Sequence, residues 1–352
     1  MRLAVVIANL GGPDSLQAVR PFLFNLFNDR AIIGLPQPLR FMIAKLISGR
    51  RAPVAAKIYA QMGGASPILA ETRAQGAKLE DVLRNQTTSK TEIRVFTAMR
   101  YWHPFILEAA QEVKAWAPDQ IVLLPLYPQF STTTTGSFFD AWDDAAARLT
   151  LNIPEARICC HPIDSSFVAA HTQLIREAIA KLPRGQTFRL LFSAHGLPKR
   201  VVERGDPYAW QIEETARAIV DALNNPGLDW RISYQSRVGP LAWLEPATET
   251  EIHRAGAEKK GLVVVPIAFV SEHSETLVEL DVDYAALASK SGVTSYIRVP
   301  ALGQSSAYIE GLARLALSAS RQTGLMAAGG RMICPRTCTA CPHVTREAEA
   351  HL

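Results

Sequence analysis

The stretch Phe188-Arg189-Leu190-Leu191-Phe192-Ser193-Ala194-His195-Gly196-Leu197-Pro198 sets the reading of the whole chain. Residues 188–193 are mainly apolar on both faces of an extended backbone, as strands buried in parallel sheets are. Gly196 and Pro198 then break the chain. That leaves His195 at a loop tip beyond the carboxyl end of the strand. Open α/β sheets bind their ligands at such ends, and neutral imidazole can take a proton or bind a metal near pH 7. On position alone, a buried and hydrogen-bonded histidine is the plainer reading.

Working outward, similar apolar runs fill residues 3–8, 93–98, 120–126, 230–234 and 262–270. Amphipathic stretches at 104–115, 167–181 and 208–223 read as helices between them. This alternation predicts an α/β protein with parallel sheets covered on both faces. An internal repeat runs through it. VIANLGGP (6–13) resembles LFSAHGLP (191–198), FTAMRYWHP (96–104) resembles SYQSRVGP (233–240), and IVLLPLYPQFS (121–131) resembles LVVVPIAFVS (262–271). Measured at Pro13, Arg100 and Pro125, the offsets are 185, 137 and 141 residues. Two similar lobes follow, the first with about 48 extra residues before Arg100. The expected divisions are 1–150, 151–325 and a cysteine-rich tail at 326–352.

The extra segment, 20–51, holds Phe22, Phe24, Phe27, Leu39, Phe41, Met42 and Leu46, with Arg20, Arg30, Arg40, Lys45, Arg50 and Arg51 interleaved. Spacing alone favours a pair of ordinary core helices over an exposed apolar lip that meets a membrane or a large flat ligand.

Composition narrows the classes. Of 352 residues, 48% are hydrophobic and 20% charged, which suits a globular chain with a sizeable core. A dispersed net charge of +4 and the lack of any Lys/Arg run argue against a nucleic-acid partner. The first apolar run soon meets Asn9, Gly11 and Pro13, too short for a signal peptide. No stretch reaches the ~18 apolar residues of a spanning helix. A cytoplasmic protein is expected.

Three further motifs carry chemistry. Glu275, Glu279 and Asp283 are spaced i, i+4, i+8, so a helix would stack three carboxylates on one face. A solvated acidic face is the plain reading. The sharper one is a row of oxygen ligands that conducts a divalent cation or accepts protons. In residues 237–246, Pro240 and Pro246 flank Trp243, which suits either stacking on a planar ligand or core packing. Cys334, Cys338 and Cys341 form a C-x3-C-x2-C array. With Cys159 or Cys160 they would make a four-thiolate site, for [2Fe–2S] or Zn²⁺ equally on spacing.

These motifs together resemble those of the ferrochelatases over essentially the whole chain: ANLGGP (8–13), GGASPI (63–68), MRYWHP (99–104), LPLYPQFSTTTTGS (124–137), SAHGLP (193–198), RGDPY (204–208), QSRVGPLAWL (235–244) and ETLVELD (275–281). The resemblance implies insertion of Fe²⁺, as substrate, into protoporphyrin IX to form haem. It implies two Rossmann-like lobes around a porphyrin cleft and no nucleotide cofactor. His195 resembles the family's proton acceptor or metal ligand, Glu275 its metal-binding partner, and Glu279 and Asp283 the continuation of the acidic row. Leu10, Arg51, Ser66, Arg100, Tyr101, Tyr127 and Trp243 match porphyrin-site residues. Segment 20–51 matches a membrane-facing lip, which reverses the spacing-only preference and implies peripheral membrane association. The resemblance also prefers a non-catalytic [2Fe–2S] cluster on Cys334, Cys338, Cys341 and Cys159 or Cys160, and leaves a homodimer open.

The chain departs from the family in three places. Asp283 stands where many relatives have Glu, Leu10 where the animal enzymes have Met, and Thr132 where they place a cluster cysteine. Chelatases for another metal or tetrapyrrole, such as cobalt or coproporphyrin, are the neighbouring reading. A non-catalytic tetrapyrrole carrier is the distant one, and it would have no use for carboxylates stacked beside a histidine.

Overall fold

The computed structural model describes residues 1–87, 90–237, 239–328 and 332–345. Val238 of the tryptophan loop, and 329–331 and 346–352 of the expected tail, therefore lie outside the described residues.

The chain divides into two compact units, Met1–Cys160 with Leu312–Arg331, and His161–Gly311 with Met332–Leu352. The first unit carries β1 (Arg2–Asn9), α1 (Val19–Phe27), α2 (Gln37–Gln61), α3 (Ile68–Gln86), β2 (Glu92–Met99), α4 (Ile106–Trp116), β3 (Gln120–Pro125), a π-helical turn (Thr132–Gly136), α5 (Ser137–Leu149) and β4 (Glu155–Cys160). The second carries α6 (Ser165–Ile179), β5 (Phe188–His195), α7 (Lys199–Glu203), α8 (Tyr208–Leu223), β6 (Trp230–Gln235), α9 (Thr248–Ala257), β7 (Gly261–Pro266), a π-helix (Glu275–Tyr284), α10 (Ala285–Ser291) and β8 (Tyr296–Arg298). The division falls inside α11 (Ser306–Ala319), which leads to β9 (Gly324–Ala327) in the first unit's sheet.

Both sheets are parallel. Their orders are β2-β1-β3-β4-β9 and β6-β5-β7-β8. The shared order, second-first-third-fourth, is the internal repeat made visible. Its registers agree as well: Pro125 pairs with Ala8, and Pro266 with Ser193. Both strands end at a proline, which has no N–H of its own to donate to a ladder. The strand expected over 262–270 therefore stops at Pro266. The crossover from β1 to β2 spans 10–91 and that from β5 to β6 spans 196–229, a difference of 48 residues.

The expected boundary at 150/151 moves to 160/161, because β4 pairs with β3. The expected division at 325/326 cuts through β9, which pairs with β4 and so belongs to the first unit.

The inserted α1 and α2 pack on each other through Val19, Phe22, Leu23 and Tyr59. One stripe of α2 and the turn before it stays in solvent: Leu35, Leu39, Met42 and Leu46, joined by Phe41. Met42 is 68% exposed, while Phe22 is 4% exposed. An apolar lip is therefore present, but Phe22, from the first helix of the segment, belongs to its core support.

One buried group in the second unit has a consequence for acid stability. His171 on α6 is fully buried against the Phe167 ring, 4.8 Å between centroids, and neither ring nitrogen has a partner among the described residues. Burial pushes it down from 6.5 to about 3. The unfolded chain therefore binds a proton that the folded one refuses. The stability His171 contributes is complete above about pH 6.5 and drains as pH falls toward its folded value, by up to about 1.4 kcal/mol per unit. His171→Leu should flatten the fall in urea midpoint between pH 6.5 and 4 relative to the parent. An unchanged slope would mean that the histidine finds a partner in the folded state.

Candidate active site

β5 and β7 flank the point in the second sheet where the strand order reverses, which is where such sheets bind ligands. His195 is the last residue of β5, and the π-helix begins nine residues after Pro266. His195 Nδ1 lies 2.8 Å from Glu275 Oε2, with the imidazole still 39% exposed. Burial opposes the imidazolium, but Glu275, and then Glu279, outweigh it and raise His195 above its ordinary value. Burial likewise opposes the Glu275 carboxylate. The charge and hydrogen bond of His195, the charge of His273 and the Ser236 hydroxyl overcome it and hold Glu275 low. Glu279 is pushed up by its own burial and by Glu275. Two carboxylates one turn apart are thus driven in opposite directions, the pattern that separates a charged partner from a proton carrier.

The acidic helix differs from the expected one. Its turns are widened to π type, an irregularity frequent at functional sites. Glu275 and Glu279 both meet Ser236. The Ser236 hydroxyl lies 3.0 Å from Glu275 Oε2 and 2.5 Å from Glu279 Oε2, and its N–H donates to Glu279 Oε1 at 2.9 Å. One hydroxyl proton serves one carboxylate at a time. Ser236 is in the left-handed region, φ 60°, which non-glycine residues seldom adopt. The Tyr284 hydroxyl donates to Glu279 Oε1 at 3.0 Å, and Gln235 Nε2 to Oε2 at 3.2 Å. Asp283 does not join the cluster. It lies exposed at the far end, without a partner among the described residues. Glu272 binds Arg298 at 2.6 Å instead.

Ser236, inside QSRVGPLAWL, and His273, just before ETLVELD, are members of this site to which the sequence motifs assign no role. Nε2 of the buried His273 lies 3.9 Å from Glu275 Oε1, while its Nδ1 donates to the Ser271 carbonyl at 3.1 Å. Burial lowers His273. Their signal was position: Ser236 follows the residue paired with His195 across β5 and β6, and His273 stands two before Glu275.

Trp243 is half-buried and forms a bridge with Pro198. Lys199 N–H to the Ala242 carbonyl (2.8 Å) and Leu244 N–H to the Leu197 carbonyl (2.9 Å) tie its loop to the one after His195. The indole N–H has no partner among the described residues.

The first unit holds the other residues expected to bind substrate, grouped around one that carries no signal in the sequence. Asp29 is buried beside α1 and accepts from the Tyr101 hydroxyl (2.6 Å), the Ser137 hydroxyl (2.5 Å) and the Ala31 N–H (2.9 Å), while Arg100 pairs with it at 2.9 Å. A lone Asp in a loop carries no spacing signal, so only the fold reveals it. Arg100 also donates to Ser137 at 2.7 Å and lies over the Tyr101 ring at 4.9 Å. Tyr101 is only 1% exposed and lies beneath Arg100. Burial raises both Tyr101 and the half-buried Tyr127. Leu10 is half-buried after β1, and its carbonyl accepts from Tyr101 N–H at 3.0 Å. Ser66 N–H binds the Pro13 carbonyl at 2.8 Å. Arg51 lies over the Phe27 ring at 5.7 Å, its guanidinium lowered by burial.

Cys334, Cys338 and Cys341 are buried together against Trp210, Ile333 and Val344. A hydrogen bond from Cys334 is the main cause that lowers Cys341, whereas burial and then Cys341 raise Cys338. Cys159 and Cys160 are buried on β4, their sulfurs 3.4 Å apart. Among the described residues, no group of three or more His, Cys, Asp or Glu is arranged to hold a metal ion.

Comparison with known proteins shows what the chain as a whole is similar to. A family model described as ferrochelatase matches residues 2–320. A ferrochelatase of Phenylobacterium zucineum is 54% identical over 95% of this chain and 96% of its own. One from Caulobacter vibrioides is 52% identical over 89% of each, and one from Pelagibacter ubique 49% over 90% of each. Among solved structures, SirB from Bacillus subtilis with Fe³⁺ matches with a TM-score of 0.52 at 12% identity, covering 91% of this chain and 97% of that one, a likeness of fold.

Proposed function

Because the chain belongs to the ferrochelatase family, we propose that it inserts Fe²⁺ into protoporphyrin IX to give haem, as a lyase, with His195 as the base. The observation that carries this reading is the 2.8 Å pair between His195 Nδ1 and Glu275, backed by Glu279 through Ser236. A free-base porphyrin must lose two pyrrole protons while iron sheds its water. With Nδ1–H donating to Glu275, Nε2 is the atom left to accept a pyrrole proton, and the carboxylate steadies the imidazolium that forms. The carboxylates offer hard oxygen donors to the incoming cation. Pure protein with protoporphyrin and anaerobic Fe²⁺, followed by absorbance, tests this. Coproporphyrin and Co²⁺ run in parallel distinguish the neighbouring chelatases. Porphyrin binding without metal insertion would mean a carrier.

The lip would meet the cytoplasmic face of a membrane. Its exposed stripe of Leu39, Phe41, Met42 and Leu46 is flanked by exposed Lys45 and Arg50, a pairing that suits anionic lipid. Replacing those four apolar residues by Ser should lower partition to anionic liposomes at least about tenfold without lowering the melting temperature, since none is core. Unchanged partition, with weakened folding, would return the segment to an ordinary packing role.

The tail thiols would hold a [2Fe–2S] cluster with a fourth thiolate from Cys159 or Cys160. The donor set supports this: three thiols share one buried apolar nest, and one is already biased toward thiolate, the form that ligates. Brown protein with about two irons and two sulfides per chain is the expected result, lost in Cys334→Ser. Colourless protein with one zinc would leave a structural metal. Cluster retention in single replacements of both Cys159 and Cys160 would remove the pair as ligands.

A further inference from the structure

A short turn in the second unit touches the cysteine-rich tail on one side and the base on the other. The tail docks by Ala340 N–H to the Gly205 carbonyl, 3.1 Å, and Gln211 Nε2 donates to Cys334 Sγ at 3.1 Å. Trp210 completes the apolar nest of the three thiols. Contact at Gly205 is too close for any side chain, since a β-carbon there would stand 2.2 Å from Thr339 Oγ1 and 2.7 Å from its backbone nitrogen. Its φ of +91° also belongs to glycine. Between Gly205 and Gln211 stands Tyr208. Its N–H is held by Asp206 Oδ1 at 3.0 Å, its ring is buried, and its hydroxyl donates to the His195 carbonyl at 3.1 Å.

We infer that Tyr208 is a positioning residue for His195, and that the cysteine-rich tail acts on the base through the turn from Gly205 to Gln211. The tail lies outside both catalytic motifs in sequence. In space one turn of chain and one tyrosine separate it from the carbonyl of the histidine. Any event that loosens the tail's seat, such as loss of whatever its thiols bind, then reaches the 2.8 Å contact between His195 and Glu275. The inference rests on the reading of His195 as the base.

The test compares Tyr208→Phe, two tail-side variants, Gly205→Ala and Gln211→Leu, and each tail-side change combined with Tyr208→Phe, in the full chain. Tyr208→Phe should lower kcat about fivefold, the usual worth of one lost hydrogen bond. KM for porphyrin should be unchanged, the acid limb of the pH profile displaced and hydrogen exchange at residues 194–197 faster. Each tail-side variant should move the same three readouts in the same direction, and add little once Tyr208 is Phe. Tail-side variants that fold and leave the exchange at 194–197 unchanged would overturn the inference, as would full additivity with Tyr208→Phe. Exchange needs no turnover. A chain that inserted no iron would therefore sink the reading of His195 as base while the physical link was still decided.

Discussion

His195→Ala should lower kcat for iron insertion by about a hundredfold or more, the typical loss when general acid–base catalysis goes, while the protein still folds. The side chain is 39% exposed at the end of β5, so its removal leaves little cavity behind. No other described base matches it. Burial lowers His273, and its Nδ1 is held by the Ser271 carbonyl. Because Glu275 raises His195, activity in the parent should fall as pH drops through a value above 6.5. Turnover within about threefold of the parent would take His195 out of the mechanism.

Glu275→Gln should cost about a hundredfold, against less than about threefold for Asp283→Asn. Glu275 is the direct partner of the base and Asp283 is exposed, with no partner among the described residues. The pH profile separates a partner of the base from a mere structural prop. Without the Glu275 charge, burial acts on His195 nearly unopposed, so the acid limb should move to lower pH. Stability follows the same pair. The raised His195 contributes fully below 6.5 and loses this as pH rises through its folded value. The lowered Glu275 contributes fully above 4.5 and loses this as pH falls through its own. The pair's contribution is therefore complete between about 4.5 and 6.5, and Glu275→Gln should narrow the gap in melting temperature between that window and pH 8. Equal kinetic losses at Glu275 and Asp283 would contradict the ordering.

The sheets were legible because their central strands are apolar on both faces. β4, β8 and β9 were missed for a physical reason: they are edge or near-edge strands of three to six residues, two of them only partly buried. A run as short as Tyr296–Arg298 has no periodicity to detect. Within the site, His195 and Glu275 announced themselves by charge and by place along the chain. Asp29 did not, because its partners Tyr101, Arg100 and Ser137 lie 71 to 108 residues away along the chain. The acidic row was legible on α-helical spacing, whereas its widened turns accompany bonds that spacing does not encode, one from distant Ser236 and one from Tyr284 at the end of the same helix.

The shared strand order has a bearing on descent and symmetry. By the repeat, Leu10 after β1 occupies the place that His195 occupies at the end of β5. Position for position, an apolar side chain in one copy thus stands where an imidazole stands in the other. Two identical chains in a symmetric dimer must carry the same residue at both places. Joining two copies in one chain releases that constraint, since each copy can then drift separately. In this chain the 48-residue insertion and the acidic π-helix fell on different halves.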